Sequence, residues 1–233
     1  MIKSVKALMG TVALLCATSV FADVTSTVTV TNNYLWRGLS QSMNNPAVQG
    51  GVEVSSGDLY AGTWVSNVEY ADNDPFSYEN DWYFGKTGTV AGLTYDVGYL
   101  YYNYDKDANF DFSEVYGTLS FDNIDLSLYV LAHTEADEAA GQDFGFGQAT
   151  YMSANYTVPV SDGTNVILHV GRHDGDFVTA FNGTPNNYTD YSVAVAKNGF
   201  EFKVSNTNLD NDTIGAPNNN DKVRFVASYT ISI

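Results

Sequence analysis

From Val24 onward, hydrophobic and polar residues alternate in short runs of about 8–12 residues, the period-2 pattern of strands with two unlike faces. Phe200, Phe202 and Val204 stand against Glu201, Lys203 and Ser205. Phe225, Ala227, Tyr229, Ile231 and Ile233 stand against Arg224, Ser228, Thr230 and Ser232. Leu93, Tyr95, Val97, Tyr99 and Tyr101 oppose Thr94, Asp96 and Gly98, while Leu126, Leu128 and Val130 oppose Ser127, Tyr129 and His133. Val48, Val52 and Val54 oppose Gln49, Glu53 and Ser55. The weakest run is Leu59 to Asn67, mixed on both faces, and no amphipathic helix of three turns is evident after the leader.

These runs predict about twelve strands, at roughly 24–37, 46–56, 59–69, 78–88, 92–104, 111–122, 124–134, 147–158, 164–174, 187–197, 199–208 and 221–233. Their connections alternate between short turns and long polar loops. Asn198-Gly199 is the strongest turn signal, because a two-residue type I′ hairpin needs positive φ at both positions. The long connections include "ADNDPF", "EADEAAGQDFGF" and "GDFVTAFNGTPNN". Short turns at one end and long loops at the other predict an all-β fold: a closed antiparallel transmembrane β-barrel with both mature termini at the short-turn, periplasmic end. Soluble sandwiches and lipocalin-like barrels also alternate. Against them stand the even strand number, the aromatic residues crowding strand ends, and an opposite face of Thr, Ser, Gly, Asp and Glu that is too polar for a packed core.

Charge narrows the function. Ten basic residues against 27 acidic ones give a net charge of −17, which argues against nucleic acid as a partner. The N-terminus, with Lys3, Lys6, an apolar run from Ala7 to Ala17 and small residues before Asp23, reads as a cleaved secretory signal over 1–22, leaving a barrel domain over 23–233. The one cysteine, Cys16, lies in that leader, so disulfides and thiol chemistry are not expected of the mature chain.

Face parity places candidate residues. In "NNYLWRGLSQS", Tyr34 and Trp36 share the parity of Val24, Val28 and Val30, so both are expected in an outer aromatic girdle with Trp82 and Tyr229. Arg37 shares the parity of Thr25 to Thr31 and is expected on the pore wall, near Arg224 on the last strand. Glu53, Asp81, Asp96, Glu114 and Glu201 form an acidic ladder, with Lys203, His133 and His169 on the same lumenal face. Salt bridges that merely hold the wall in shape are the competing reading for Arg37 and Arg224.

A family resemblance rests on the same residues. Aromatic-x-x-Arg-Gly-hydrophobic-Ser-Gln-Ser, then "PAVQGG" and "YAGTW", with later "GLTYDVGYLYYNY", "SEVYGTLSF", "HVGRH" and "YTDYSVAVAKN", resembles the TorF family of porins. The resemblance implies an outer-membrane barrel of channel function with no catalytic residues. The final "YTISI" departs from the aromatic end usual in such barrels.

Other chemistries find little support. His169 and His173 share a strand face, but no Gly-x-Ser-x-Gly turn accompanies them. "DKDANFDF" begins like a calcium loop at Asp105, Asp107 and Asn109, yet Phe110 replaces the needed glycine and Tyr116 the closing glutamate. Loose divalent binding at Asp105, Asp107, Asp210 and Asp212 is the residual metal expectation, and no cofactor is expected. The sequence thus predicts a porin-like channel for small polar solutes or ions, preferring cations. Its partners would be outer-membrane lipid and lipopolysaccharide, with the barrel-assembly machinery during biogenesis. The rival is a non-conducting barrel whose loops bind partners.

Overall fold

The structure is a computed structural model and describes residues 22–181, 184–210 and 220–233. Residues 1–21 of the leader and Asp212 lie outside the described residues.

Twelve strands close into one antiparallel barrel: β1 (Asp23–Thr31), β4 (Ala47–Ser56), β5 (Leu59–Asn67), β6 (Tyr78–Val90), β7 (Leu93–Tyr104), β8 (Phe112–Phe121), β9 (Ile124–Thr134), β10 (Ala149–Ser161), β11 (Thr164–Gly175), β12 (Asn187–Lys197), β13 (Phe200–Thr207) and β14 (Arg224–Ser232). Two further strands, β2 (Leu35–Trp36) and β3 (Leu39–Ser40), pair only with each other. Each barrel strand pairs with its chain neighbours, and β1 closes the ring on β14, from Thr27 opposite Ser232 to Thr31 opposite Ser228. Reciprocal backbone bonds between Ser26 and Ile233 finish that seam at the short-turn end. The barrel itself leaves no strand edge open, which is the condition for placing a sheet in lipid.

Alternation sets the two faces. Val52, Phe84, Leu128, Val170 and Phe202 are exposed on the outside, an apolar surface that a soluble protein would have to cover. Trp82 and Tyr229 stand on that same outer face. Residues paired across an antiparallel ladder share a face, so the Thr25–Glu53, Glu53–Gly62 and Gly62–Tyr83 pairs trace the inner one. Gly62 is required there: the Tyr83 phenol lies across it, where any Cβ would collide.

The turns are tighter than the sequence suggested. Ala91-Gly92, Asp162-Gly163 and Asn198-Gly199 all have positive φ at both positions, so three connections are two-residue type I′ hairpins. β6 and β10 run to Val90 and Ser161, absorbing residues expected in the turns.

Two departures from simple alternation matter. First, β1 ends at Thr31, not near residue 37. The chain then turns into the barrel and forms the β2–β3 hairpin. Second, β9 carries a bulge, with Glu114 opposite Leu131 but Ser113 opposite His133. Ala132 is the extra residue, and it inverts the parity beyond it. Ser113 pairs with Tyr101 and Tyr101 with the exposed Trp82, so His133 faces outward and not into the lumen as parity predicted.

The long-loop half of the interior is packed. Leu39, Tyr102, Tyr104, Phe112, Leu131, Phe177, Val178, Phe181 and Tyr188 form one buried cluster. Phe177 and Val178 come from a 3-10 turn (Asp176–Ala180) between β11 and β12 that folds over the mouth. Loop carboxylates hold backbone amides. Asp74 accepts from the Tyr70, Ala71 and Phe76 N–H groups, and Asp105 accepts from Ser77 and Tyr78. Burial of Asp105 is slight, and those hydrogen bonds hold its carboxyl below its ordinary pKa.

Candidate functional site

The hairpin that enters the lumen is built on Arg37-Gly38. Both have positive φ, 48° and 79°, the type I′ requirement that Asn198-Gly199 also meets. Glycine is needed at 38 for a second reason. A Cβ there would lie 2.6 Å from Asp190 Cβ and 2.9 Å from Thr207 Cγ2 on the barrel wall. Polar bonds fix the hairpin's stem and tip: Tyr188 donates its hydroxyl to the Arg37 carbonyl at 2.9 Å, the Ser40 amide donates to Asn220 at 3.0 Å, and Tyr70 donates to the Gln41 side chain at 2.8 Å.

Arg37 spans the lumen to β8. Its guanidinium makes a two-pronged bond to Glu114, Nη1 to Oε1 at 3.0 Å and Nη2 to Oε2 at 2.5 Å, with side chains only 5% and 4% exposed. Planar forks of this kind are the strongest carboxylate contacts a side chain makes. Nη1 also donates to His173 Nε2 at 3.1 Å, which places the imidazole proton on Nδ1. The rings of Trp36, Tyr151 and Tyr129 face the cation at 4.2, 4.4 and 5.1 Å. Tyr102 adds a hydroxyl bond to Glu114 at 3.0 Å. Burial disfavours the Arg37 charge, but Glu114 outweighs it and raises the pKa, so the guanidinium stays ionised. Arg37 is a buried partner on an inserted hairpin, not a residue of the pore wall.

The same inward turn places Tyr34 and Trp36 inside the barrel, against the outer-girdle expectation. Trp36 packs on Tyr102, Phe112, His173 and Phe181. Tyr34 donates to Glu79 at 3.1 Å, and burial with the nearby Glu79 and Asp81 charges pushes its phenol well above the ordinary value, keeping it a donor. The expected meeting of Arg37 with Arg224 is replaced by the fork to Glu114. Arg224 sits half-buried on the inner face of β14, opposite Ser205.

Two chambers flank the hairpin and extend toward the short-turn end. One, of about 370 Å³, is lined by Arg37, Tyr151, His169, Asp190, Glu201 and Lys203 among others. Lys203 meets Glu201 at 3.0 Å there, and His169 Nε2 lies 2.8 Å from Asp190 and 3.1 Å from the Tyr151 hydroxyl, while its Nδ1 meets Asn155. The other chamber, of about 580 Å³, is lined by Glu53, Asp81 and Asp96 with Trp36, Trp64, Tyr60, Tyr83, Tyr102, Tyr116 and Tyr129. Within it Tyr60 donates to Asp96 at 2.5 Å, and the Tyr60 and Tyr116 hydroxyls meet. The lumenal carboxylates expected from parity therefore divide between a chamber that holds Lys203, one with no basic residue in its lining, and the Arg37 fork.

Glu79, Asp190 and His173 are site residues that the candidate set missed. Asp190 lies between Tyr188 and Ser192 on a strand whose other face is Tyr191, Val193 and Val195, so alternation alone could have identified it. Among the described residues no group of three or more His, Cys, Asp or Glu could hold a metal ion. Asp105 is engaged by loop amides instead.

The fold has counterparts among solved membrane proteins. The KdgM porin aligns with a TM-score of 0.54 at 6% identity, over 91% of this chain and 99% of that one. The same porin in complex with disordered oligogalacturonate gives 0.52 at 5% identity, over 90% and 98%. A chain from work on in-meso crystallization of membrane proteins gives 0.53 at 11% identity, over 90% and 83%. At these identities the likeness is one of fold alone. No curated protein matches the sequence. A family model does match, across residues 16–231, and the chain belongs to that family, Gcw_chp, described as bacterial proteins of unknown function.

Proposed function

We propose that this protein is an outer-membrane channel for passive passage of small polar solutes or ions, narrowed by the Arg37 hairpin. The observation that carries the reading is the closed twelve-strand barrel with an apolar outer face and solvent-sized, carboxylate-lined chambers within. A ring of twelve strands is smaller than an open porin, so one inserted hairpin suffices to set the bore. In this reading 1–22 is the export signal, the outer face with Trp82 and Tyr229 meets lipid and lipopolysaccharide, and the assembly machinery inserts the barrel. The TorF resemblance points the same way, and the oligogalacturonate complex of the KdgM porin is a precedent for solute in such a lumen.

Selectivity follows from wall charge. Arg37 and Lys203 are each paired, whereas Glu53, Asp81 and Asp96 line a chamber with no lysine or arginine, so cations are expected to pass preferentially. Single-channel current and reversal potential of refolded protein in planar bilayers test both points. Reproducible absence of current would favour the non-conducting barrel whose loops bind partners, and an anion-directed reversal potential would refute the cation preference.

A further inference from the structure

The larger chamber repeats, without a basic side chain of its own, the chemistry that holds the Arg37 guanidinium next door. Arg37 shows what this lumen does with a positive group: a carboxylate takes its N–H donors and aromatic faces surround it. On the other side of Trp36, Tyr102 and Tyr129, the 580 Å³ chamber carries three carboxylates and a dense set of tyrosines and tryptophans. No lysine, arginine or histidine lines it. Asp81 is 8% exposed, and its Oδ1 has no hydrogen-bond partner among the described residues. Glu79, two residues away on the same face of β6, is buried as well; it accepts from the Tyr34 hydroxyl, and its carboxyl meets that of Asp81, which concentrates acidic groups at this wall. A buried carboxylate oxygen without a donor is costly, and a paired cation offsets that cost.

We infer that this chamber is a binding site for an organic ammonium ion, with Asp81 as the charge partner, Glu53 and Asp96 as flanking carboxylates, and the rings of Trp64, Trp36 and Tyr83 as its walls. Its volume suits a small amine or quaternary ammonium compound, and the ring-lined walls favour a cation that sheds water easily. A neutral sugar also stacks on aromatic rings, but it would leave the three carboxylates without a counter-charge, which an ammonium ion supplies. As a statement about what the channel carries, the inference rests on the proposed function; as a binding site it can be read in detergent without any current.

The reporters are already in place. Trp36 and Trp64 line the chamber and Trp82 lies outside, so a Trp82→Phe background leaves emission only from the site. Titration with tetramethylammonium and with 1,5-diaminopentane, at constant ionic strength against sodium chloride, should quench that emission saturably. Asp81→Asn should weaken binding by about thirtyfold or more, as loss of a buried charge partner does. Asp58→Asn, which removes one charge at an exposed turn, should leave it unchanged. Should Asp81→Asn fail to fold, Asp96→Asn replaces it with the same expectation. Non-saturable quenching, equal or tighter binding of glucose, or unchanged affinity in the carboxamide variants would overturn the assignment. Saturable binding with no bilayer current would sink the channel and leave this site standing; current without binding would do the reverse.

Discussion

Replacing Glu114 by Gln removes the charge that holds the hairpin while preserving the size of the side chain. Arg37 would stay buried with a neutral amide, the His173 nitrogen and three ring faces. Breaking a buried ion pair costs about 3–5 kcal/mol, and the remaining amide oxygen still accepts one bond, so about 3 kcal/mol is the expected loss. That loss should fall on the hairpin and not on the barrel. The hairpin joins β1 and β4 by the loop segments on either side of it, whereas Glu114 keeps its ladder partners Leu100 and Leu131 whether or not Arg37 is present. At ~1.4 kcal/mol per decade, the displaced population should rise by about a hundredfold.

Trypsin reads that population directly, because Arg37-Gly38 is a cleavable bond that the parent protein holds inside the lumen, out of reach of a protease. When opening is fast relative to cutting, cleavage follows the open fraction. The Glu114→Gln protein should yield a fragment beginning at Gly38 about a hundredfold faster than the parent, with larger single-channel conductance and an unchanged heat-resistant barrel. Equal cleavage rates and equal conductance would show that the ion pair does not hold the hairpin. Loss of the barrel itself would show that hairpin and wall fold as one unit.

Three other substitutions separate the faces and the plug. Leu128→Arg, on the outer face and several residues from the β8–β9 turn, should cost about 2–4 kcal/mol in reversible folding into liposomes, whereas Ser127→Arg, on the chamber side, should cost little; equal costs would refute the face assignment. Gly38→Ala forces a methyl against Asp190 and Thr207 and a side chain into positive φ, so it should reproduce the Glu114→Gln cleavage pattern with Arg37 and Glu114 both intact; continued protection of the Arg37-Gly38 bond would refute the close fit.

Barrel, strand order and face parity were legible because period-2 alternation over a closed ladder leaves few alternatives. The hairpin was not, and the reason lies in its own residues. Tyr34 and Trp36 continue the parity of Val24 to Val30, so the pattern runs on through a segment where the ladder has already stopped. A signal was present: Leu35-Trp36-Arg37-Gly38-Leu39-Ser40 has the form of a two-residue hairpin, an X-Gly pair between short apolar arms, as at Asn198-Gly199. His133 failed for the opposite reason. Parity is inverted by a single inserted residue, and nothing in Leu131-Ala132-His133 marks Ala132 as a bulge. Pairing across the lumen, such as Arg37 to Glu114, joins residues 77 apart and depends on which way a loop folds, which alternation does not encode.

The two halves of the interior obey different rules, and in the proposed channel this separates stability from conduction. Toward the long loops the barrel is filled like a soluble core, with Tyr102 stacked on Phe112 at 4.1 Å and Phe177 and Phe181 packed over them. Toward the short turns it is lined by hydroxyls and carboxylates around open space. The hairpin sits at the boundary, touching the packed half through Trp36 and Leu39 and the wet half through Arg37 and Gly38. Distant, unshared contacts contribute independently. Changes on the outer face should therefore alter folding in lipid without altering passage, and changes at Arg37, Gly38 or Glu114 should alter passage while twelve strands of ladder keep the barrel closed.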